Sequence, residues 1–554
     1  MRANVAAVVF AGLCAVTSAC ASATPAGPTD DSPPTLSIDS PTRGTTVDGE
    51  SVTVTGHATD AGAVHVTVNG TDAPVAADGS FTATLTVASG IDVIETHATD
   101  AAGNDVRDVR AVLAGPLAAS DGTHAAPIGT HASAATLATI GNAMAADARA
   151  VDYTAAVQPL NPVYNNTGCL GAKVDISTVS LSDVAVSLVP APDALDTNVT
   201  ISDVVVKLHV AYKVACIGGS GTITVTASAA HISGNLGVTA AGGKLATSLP
   251  STSVVLDNFD LQVSGIPSQV TGLFDGIVRG KVESALGSAL ENNVPAIANA
   301  KLAGLLARPF DTKILGLGTQ LTVTPTEATL SPTGLFVGVD TQVLVAGGAG
   351  GMFVTEPTTS STTLMAQTHD LGFAIANDLV NQLFAGLWAA GAFDKSVSIS
   401  SLGPLGALLD PSATKLVLSL SLPPTAATDP SGNLRLAIGD AIISVQDDSG
   451  TELQRLALSL QTGISVAATP AGTIAMALDT PTVFAQVLGQ VDDGSLPLSA
   501  MQVEGIVTGA WGLLSSQAAD ALQKLPLPSI AGVQLGSPTV NSVGNYVLAD
   551  IPLQ

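Results

Sequence analysis

The sequence offers few groups whose type and spacing would support catalysis. Two carboxylate pairs, Asp447-Asp448 and Asp492-Asp493, could act as acid and base, but each lies beside Gly or Ser in a predicted solvated turn. The segment GGSGT around Ser220 lacks the G-x-S-x-G spacing of a nucleophile elbow. The sequence contains no H-E-x-x-H zinc motif, phosphate loop or dinucleotide fingerprint. We therefore expect no enzymatic activity and no bound cofactor.

Residues that bind metals are equally sparse. The 8 histidines scatter along the chain, and no Cys or His cluster has the spacing of metal ligands. Asp60, Asp100 and Asn104 could bind Ca²⁺ from loops, although the same residue types are typical of turns. We prefer the turn interpretation and expect no metal site.

The N-terminus predicts export. One Arg precedes an apolar run from Ala6 to Val16, and small residues follow, which is typical of a signal peptide over residues 1–20. The segment Thr17–Cys20 resembles a bacterial lipobox with Cys20 as the lipidation site, although Thr is a poor fit at its first position. Ala21–Ala23 would instead suit ordinary cleavage. A flexible linker over residues 21–33 follows, so we expect an outer-membrane or surface lipoprotein, or otherwise a periplasmic or secreted protein.

Two cysteines remain beyond the signal peptide and the anchor. Cys169 and Cys216 form an even pair in a protein predicted to be exported, which favours a structural disulfide. Two buried free thiols are the alternative.

Composition excludes one class of partner. The chain has 554 residues and a net charge of −26, with 19 Lys and Arg against 45 Asp and Glu. Nucleic acids are bound through clustered cations, and no such cluster occurs. Hydrophobic residues make up 46% of the chain and aromatic residues only 3%, so the apolar content is largely Val, Leu, Ile and Ala. Such a chain favours strands and large aliphatic cores.

Residues 34–114 alternate short strands with turns such as Asn69-Gly70 and Asp78-Gly79, which is typical of a β-sandwich. The segments VTVNG, DGSFTATL and ATDAAGN resemble bacterial immunoglobulin-like domains of exported proteins. The resemblance implies a spacer or a surface-binding module.

The rest of the chain repeats one plan of long strands and apolar helices. In ISDVVVKLHVAYKVAC, residues Val204 to Cys216 alternate between an apolar and a mostly polar face, which predicts a long, curved strand. The helix after Pro267 is predicted to hold Arg279 and Lys281 on a polar face and to break or kink at Pro295. The apolar faces of the predicted helices include Leu137, Ile140, Met144, Phe274, Ile277, Val278, Leu383, Leu387, Val507, Trp511 and Leu514.

Several segments resemble one family in consistent order. They are GLFDGIVRGKVESALGSALEN, LTVTPTEATLSPTGLFVGVDTQV, DLGFAIANDLVNQLFAGLWAAGAFD and LPLPSIAGVQLGSPTV. They resemble the lipid-binding family of bactericidal permeability-increasing protein, lipopolysaccharide-binding protein and cholesteryl ester transfer protein. The resemblance implies an α+β boomerang of two tandem, strongly bent antiparallel β-barrels, each with two long helices. The barrels would span residues 118–315 and 346–554, joined by a central-sheet connection at 316–345.

The resemblance implies a protein that binds lipids or acyl chains at the bacterial envelope without chemistry, and that could also transfer them. It implies as well that the apolar helix residues named above line the lipid-binding cavities. Two departures limit it. This chain lacks the basic barrel tip of the endotoxin binders, and Cys169 and Cys216 join strand regions, so the family's bridge does not carry over. A structural or adhesive surface protein with packed barrels is the alternative. A membrane span at 371–394 is disfavoured because four polar residues, Asn377, Asp378, Asn381 and Gln382, would lie in hydrocarbon.

Overall fold

A computed structural model gives the fold of most of the chain. It describes residues 30–166, 168–271, 277–306, 309–356, 368–428, 433–468, 474–490, 498–509, 511 and 533–553. The predicted signal peptide, Cys20, most of the linker, Phe274 and Leu514 lie outside the described residues. The described part is mostly β-structure, with an N-terminal sandwich, two curled half-barrel sheets and few helices, in agreement with the predicted sandwich and two bent sheets.

The sandwich packs a sheet of three strands against a sheet of five. Its strands are β1 Thr35–Ser40, β2 Thr45–Val47, β3 Ser51–Thr59, β4 His65–Val68, β5 Thr71–Ala73, β6 Ser80–Thr86, β7 Gly90–Thr99 and β8 Asp105–Ala114. The sheet orders are β1-β3-β6 and β2-β8-β7-β4-β5. Asn69 and Gly70 turn β4 into β5 with φ angles of 48° and 74°, as a tight two-residue hairpin requires. Val54, Val66 and Ile94 lie in the core between the sheets.

A central sheet of seven strands joins the two halves of the remaining chain. Its strands are β10 Thr123–Ser133, β19 Phe310–Ile314, β20 Leu317–Ser331, β21 Gly334–Val345, β23 Leu371–Ala376, β31 Thr539–Val543 and β32 Tyr546–Ile551. Their order is β19-β20-β21-β10-β23-β32-β31, so β10 lies in the middle. A short ribbon pairs β9 Leu117–Ala119 with β22 Met352–Val354.

The first curled sheet is built around two very long strands. Its strands are β11 Tyr164–Asn166, β12 Leu170–Ser180, β13 Asp183–Ala191, β14 Ala194–Val214, β15 Ile217–Ala241, β16 Lys244–Ser248, β17 Thr252–Asp257 and β18 Asp260–Ser264. Strands β14 and β15 have 21 and 25 residues and pair along almost their whole length. Val204, Val206, Leu208 and Val210 are buried in alternation, so one face of β14 lines the core.

The second curled sheet has seven strands. They are β24 Lys395–Ser398, β25 Lys415–Leu420, β26 Thr425–Thr428, β27 Leu434–Gln446, β28 Glu452–Ala468, β29 Ile474–Leu478 and β30 Thr482–Gln490.

The helices are α1 Ala134–Arg149, α2 Tyr153–Val157, α3 Ser268–Thr271, α4 Ile277–Leu302 and α5 Asn377–Ala389. Residues 500–509 are also helical, and 3₁₀ turns span Gln158–Leu160, Ala303–Leu305 and Ile399–Leu408. The Ser133 hydroxyl caps α1 by accepting from the Thr136 N–H at 3.2 Å. Of the break or kink predicted at Pro295, the break is excluded, because α4 continues through it to Leu302. Contacts with the sheet hold the helix there, and the Thr247 hydroxyl donates to the Pro295 carbonyl at 2.8 Å.

The sandwich is docked on the second curled sheet. The Arg43 guanidinium lies 2.5 Å from the buried Asp440 carboxylate, whose other oxygen accepts from the Ala111 N–H at 3.0 Å. Burial raises the pKa of Asp440, and Arg43 opposes that shift. Arg107 pairs with Glu504 at 2.6 Å. A small apolar cluster closes the contact, formed by Ile91, Ala111, Leu113, Val354, Leu422 and Ala437. The sandwich is therefore fixed to the second half by buried apolar and charged contacts.

Candidate functional site

The predicted lipid-contacting residues of α1 are packed into the core. Leu137, Ile140 and Met144 have exposed fractions of 0, 0 and 1%, and all three point into the main cluster of the first half. Gly141 brings α1 close to β13, since a Cβ at this position would meet the Val186 carbonyl at 2.9 Å. The contact between α1 and the sheet is therefore filled by side chains of the protein itself.

An apolar cleft lies where the first turns of α4 cross the first curled sheet. The cleft is shallow and partly open to solvent, and its cavity volume is about 10 Å³, roughly the space of one water molecule. Its lining residues come from α4, from strands β12 and β14, and from the start of β11: Val163, Tyr164, Val174, Ile176, Leu208, Ile277, Val278, Lys281 and Val282. The floor of the cleft is formed by buried Val174, Ile176 and Leu208, which alternate along their strands. We call this cleft the α4 cleft.

Four residues of α4 line the α4 cleft at helical spacing. Ile277 and Lys281 are four residues apart, as are Val278 and Val282, so all four share one side of the helix. Val278 and Val282 are buried, whereas Ile277 is 36% exposed and Lys281 is exposed at the rim. The predicted site residues Ile277 and Val278 thus meet in one cleft. The assignment of Lys281 to the opposite, polar face is wrong, because its side chain joins the apolar lining.

The other charged residues near this part of α4 have partners. The Arg279 guanidinium lies 3.0 Å from Glu283 and 3.0 Å from the Leu256 carbonyl, and it stacks over the Phe259 ring at 5.5 Å. Lys173, on the face of β12 that points away from the cleft, lies 2.7 Å from Asp175. No acidic group among the described residues forms a salt bridge with Lys281.

Helix α5 is held by buried polar contacts. The Asn381 side chain donates to the Ala426 carbonyl at 3.0 Å and accepts from the Ala426 N–H at 2.7 Å. Gln382 donates to the Gly122 carbonyl at 2.7 Å, and Asn377 donates to the Thr428 hydroxyl at 3.0 Å. The polar residues that interrupt this apolar segment therefore fix α5 to the strands around it. None of the described helices combines the length and the apolar character needed to cross a bilayer.

A carboxylate cluster lies at the start of α5. Asp378 has no exposed surface, and it accepts from the Glu356 N–H at 3.1 Å, while His124 Nε2 lies 2.8 Å from one of its oxygens. Burial, and then the Asp378 carboxylate, raise the pKa of Glu356 to about 7. Burial, and then Asp378, also raise the pKa of Tyr546 to about 12. The cluster joins α5 to the central sheet.

The predicted cavity residues of the second half do not meet at one place. Leu387 packs with Ile314 and Ala392, and Leu383 lies between that cluster and the main core. Val507 packs on a separate cluster of the second curled sheet. Trp511 donates its indole N–H to the Asp479 carbonyl at 2.6 Å. These side chains serve different local contacts.

Cys169 and Cys216 form a disulfide in the structure. It joins the start of β12 to the connection between β14 and β15, at one end of the first curled sheet. The neighbouring Leu170 and Ile217 are exposed.

The predicted turn residues of the sandwich lie together. One Asp100 oxygen accepts from the N–H groups of Ala102, Gly103 and Asn104 at 2.7–2.9 Å, as is typical of a turn. The side-chain amide of Asn104, and then these backbone N–H groups, lower the pKa of Asp100. Carboxylate oxygens of Asp30, Asp60 and Asp100 lie within 4.8 Å of one another.

One segment of the chain matches a known family. Residues 34–115 match the family described as glucodextranase, domain B, which fits an immunoglobulin-like domain at the N-terminus. No curated protein matches the chain.

Solved structures show weak similarities. The crystal structure of lipopolysaccharide binding protein has 13% identity and a TM-score of 0.42, covering 77% of this chain and 99% of that chain. The solution structure of latherin has 16% identity and a TM-score of 0.15, covering 30% of this chain and 75% of that chain. A tetra-tandem repeat of a large adhesion protein has 13% identity and a TM-score of 0.13, covering 82% of this chain and 99% of that chain. These TM-scores are low, so the function must follow from the site.

Proposed function

We propose that this protein binds lipid acyl chains in the α4 cleft and performs no chemistry on them. The observation that carries the proposal is the apolar lining of the cleft, a shallow depression between a helix and a curled sheet in which an acyl chain would fit only if α4 moved outward. Seven of its nine lining residues are Val, Ile or Leu, and only Tyr164 and Lys281 carry polar groups. An apolar lining with few polar groups is typical of lipid and small-molecule sites.

The physical basis is the burial of methylene groups. Each CH₂ group moved from water into an apolar site contributes about 0.8 kcal/mol, so a chain of a few carbons already gains several kcal/mol. Ile277 at the rim still has a partly exposed side chain, which a bound chain would cover. Export, the lipid anchor at Cys20 and the absence of enzymatic activity stay predictions from the sequence.

The proposal predicts that filling the α4 cleft blocks acyl binding. In Ile277→Trp the larger side chain would occupy the mouth of the cleft, and because Ile277 is partly exposed the helix can accept it. We expect at least a tenfold loss of affinity for a neutral fluorescent acyl probe, measured by titration of the full-length protein.

The matched control is Val189→Trp, an equally large change at a half-exposed residue of β13 in the same sheet, outside the cleft lining. The control should bind the probe like the wild type. If Ile277→Trp unfolds at the wild-type temperature and still binds with wild-type affinity, the α4 cleft is not the site.

A structural or adhesive role is the second candidate. The complete burial of Leu137, Ile140 and Met144 favours it, because that part of the first half is packed by the protein's own side chains. The docked sandwich would suit a rigid surface protein as well. Purified protein that carries no lipid in native mass spectrometry and takes up no acyl probe would support this candidate over lipid binding.

A further inference from the structure

The contact between the sandwich and the second curled sheet is built around one buried carboxylate. Asp440 lies in a bulge of β27, where the pairing with β28 shifts register between Ile438 and Ala441, and its φ angle is 45°. A bulge changes the direction of a side chain, and here the carboxylate points out of its own sheet into the sandwich. It is 1% exposed and accepts from Arg43 at 2.5 Å and from the Ala111 N–H at 3.0 Å. The sandwich therefore supplies the partners of a charge that belongs to the other half.

Other polar groups in the same contact lack partners. Arg43 Nη2, Asp92 Oδ2 and Arg435 Nε are buried, and none of these three atoms has a hydrogen-bond partner among the described residues. Burial raises the pKa of Asp92 on β7, and the charge of Arg435 on β27 opposes that shift. An unpaired buried polar group costs free energy, and water would hydrate these groups if the two surfaces separated. They therefore favour an open contact.

The apolar part of the contact is small and separate from the core of the sandwich. It is the cluster of Ile91, Ala111, Leu113, Val354, Leu422 and Ala437. The sandwich has its own core between its two sheets, which contains Val54, Val66 and Ile94. Domains of one chain move relative to each other unless their interface is large and hydrophobic. The sandwich can therefore stay folded when the contact opens.

We propose that Arg43 and Asp440 form a clasp that holds the sandwich on the second curled sheet and releases it as a folded unit when the pair is broken. Without Arg43, the carboxylate of Asp440 would be buried without a counter-ion in the closed contact and hydrated in the open one. A second ion pair across the contact, Arg107 with Glu504 at 2.6 Å, is about one quarter exposed on each side, so its contribution is screened by water. The position of the sandwich thus depends mainly on one ion pair.

Hydrogen exchange of the full-length protein, followed by mass spectrometry, separates opening of the contact from unfolding of the sandwich. The Ile91 N–H donates across the contact to the Thr425 hydroxyl, and the Ala111 N–H donates to Asp440, so both lose these partners when the contact opens. Strand β3 pairs with β1 and β6 inside the sandwich, so its N–H groups stay protected in a released but folded sandwich.

The main variant is Arg43→Met, which removes the charge and keeps a long, unbranched side chain. We expect exchange at Ile91 and Ala111 to become at least about tenfold faster, while exchange in β3 stays within about twofold of the wild type. The control Arg149→Met removes an exposed arginine that pairs with Asp183 in the first half, and it should exchange like the wild type.

A milder variant tests the pair from the other side. Asp440→Asn keeps the shape of the side chain, and asparagine tolerates the positive φ at this position, so the bulge should persist. We expect faster exchange at Ile91 and Ala111 here as well. Because the same pair is broken in both single variants, the increase in Arg43→Met/Asp440→Asn should be smaller than the product of the two single increases.

Three results would overturn the clasp. Wild-type exchange at Ile91 and Ala111 in both single variants would show that the pair does not hold the contact. Equal loss of protection in β3 would show that the sandwich unfolds instead of being released. Single increases that multiply in the double variant would show that the two residues act independently. The clasp does not rest on acyl binding, so these results leave the proposed function untouched.

Discussion

Helix α4 in the first half and helix α5 in the second both pack against β-structure, but through different contacts. The first turns of α4 meet the sheet with aliphatic side chains and leave the α4 cleft beside them. Helix α5 lies against backbone, since a Cβ at Gly348 would be 2.4 Å from the Gly386 carbonyl and one at Gly351 would be 2.6 Å from the Ala385 carbonyl.

The polar contacts of the two helices also differ, since those of α4 are partly exposed and those of α5 are buried. On α4, Arg279 and Glu291 bond to the sheet from partly exposed positions at the margin of the helix. On α5, Asn381 and Gln382 are buried and bond directly to main-chain groups. Fully satisfied buried hydrogen bonds rigidify a contact and fix one position of a helix. The buried polar contacts of α5 therefore hold the second half together, whereas α4 is held mainly by aliphatic packing.

The largest expected loss of stability comes from removing the buried hydrogen bonds of α5. Asn381→Ala removes two hydrogen bonds and leaves the N–H and carbonyl of buried Ala426 without that partner. We expect the free energy of unfolding to fall by about 2–4 kcal/mol. Trp388 lies on α5, so denaturant titration followed by tryptophan fluorescence reports on this region.

The matched control is Asn293→Ala on α4. Asn293 is partly buried and donates only to the Ala289 carbonyl of its own helix, at 2.6 Å, so its loss should cost less than about 1 kcal/mol. If both variants lost the same unfolding free energy, the polar contacts of α5 would be no more important than those of α4.

A smaller effect is expected from Glu356, whose ionisation should make the free energy of unfolding depend on pH. Its pKa is raised from 4.5 to about 7, so the folded protein binds this proton more tightly than the unfolded chain does. The contribution of this proton to the free energy of unfolding is fully present below a pH of about 4.5 and is lost as the pH rises towards 7. Because the side chain is partly exposed, we discount the loss for solvent screening to about 1–2 kcal/mol.

Glu356→Gln should remove this loss, so the difference in unfolding free energy between variant and wild type should change across that pH window and stay constant above it. Glu452→Gln, an exposed change at the start of β28, is the control and should follow the wild type throughout. If the unfolding free energies of Glu356→Gln and the wild type ran parallel across this pH range, ionisation of Glu356 would not affect stability.

Local patterns in the sequence were sufficient for much of the fold. The alternation of Val204, Val206 and Leu208 predicted one buried face of a long strand, and Asn69-Gly70 predicted a hairpin that the structure contains. Both features depend on residues that are neighbours along the chain.

Long-range contacts could not be predicted in this way. The partner of Asn381 is Ala426, 45 residues away, and no spacing in the sequence indicates that pairing. The sequence predicts a break or a kink at Pro295 from local preference, and contacts with the sheet keep α4 continuous through this residue. Lys281 was placed on a polar face because it lies among charged residues, but the position of the neighbouring strands decides which side of α4 is covered.

Photo-crosslinking tests the central claim most directly. A fatty acid with a diazirine in its chain is bound to the full-length protein, irradiated and located by peptide mass spectrometry. We predict labels on residues 277–282 of α4 and on Val174 or Ile176 of β12, and their loss when unlabelled laurate is added in excess. Labels concentrated on α5 or the second curled sheet, or labels that excess laurate does not reduce, would contradict the account.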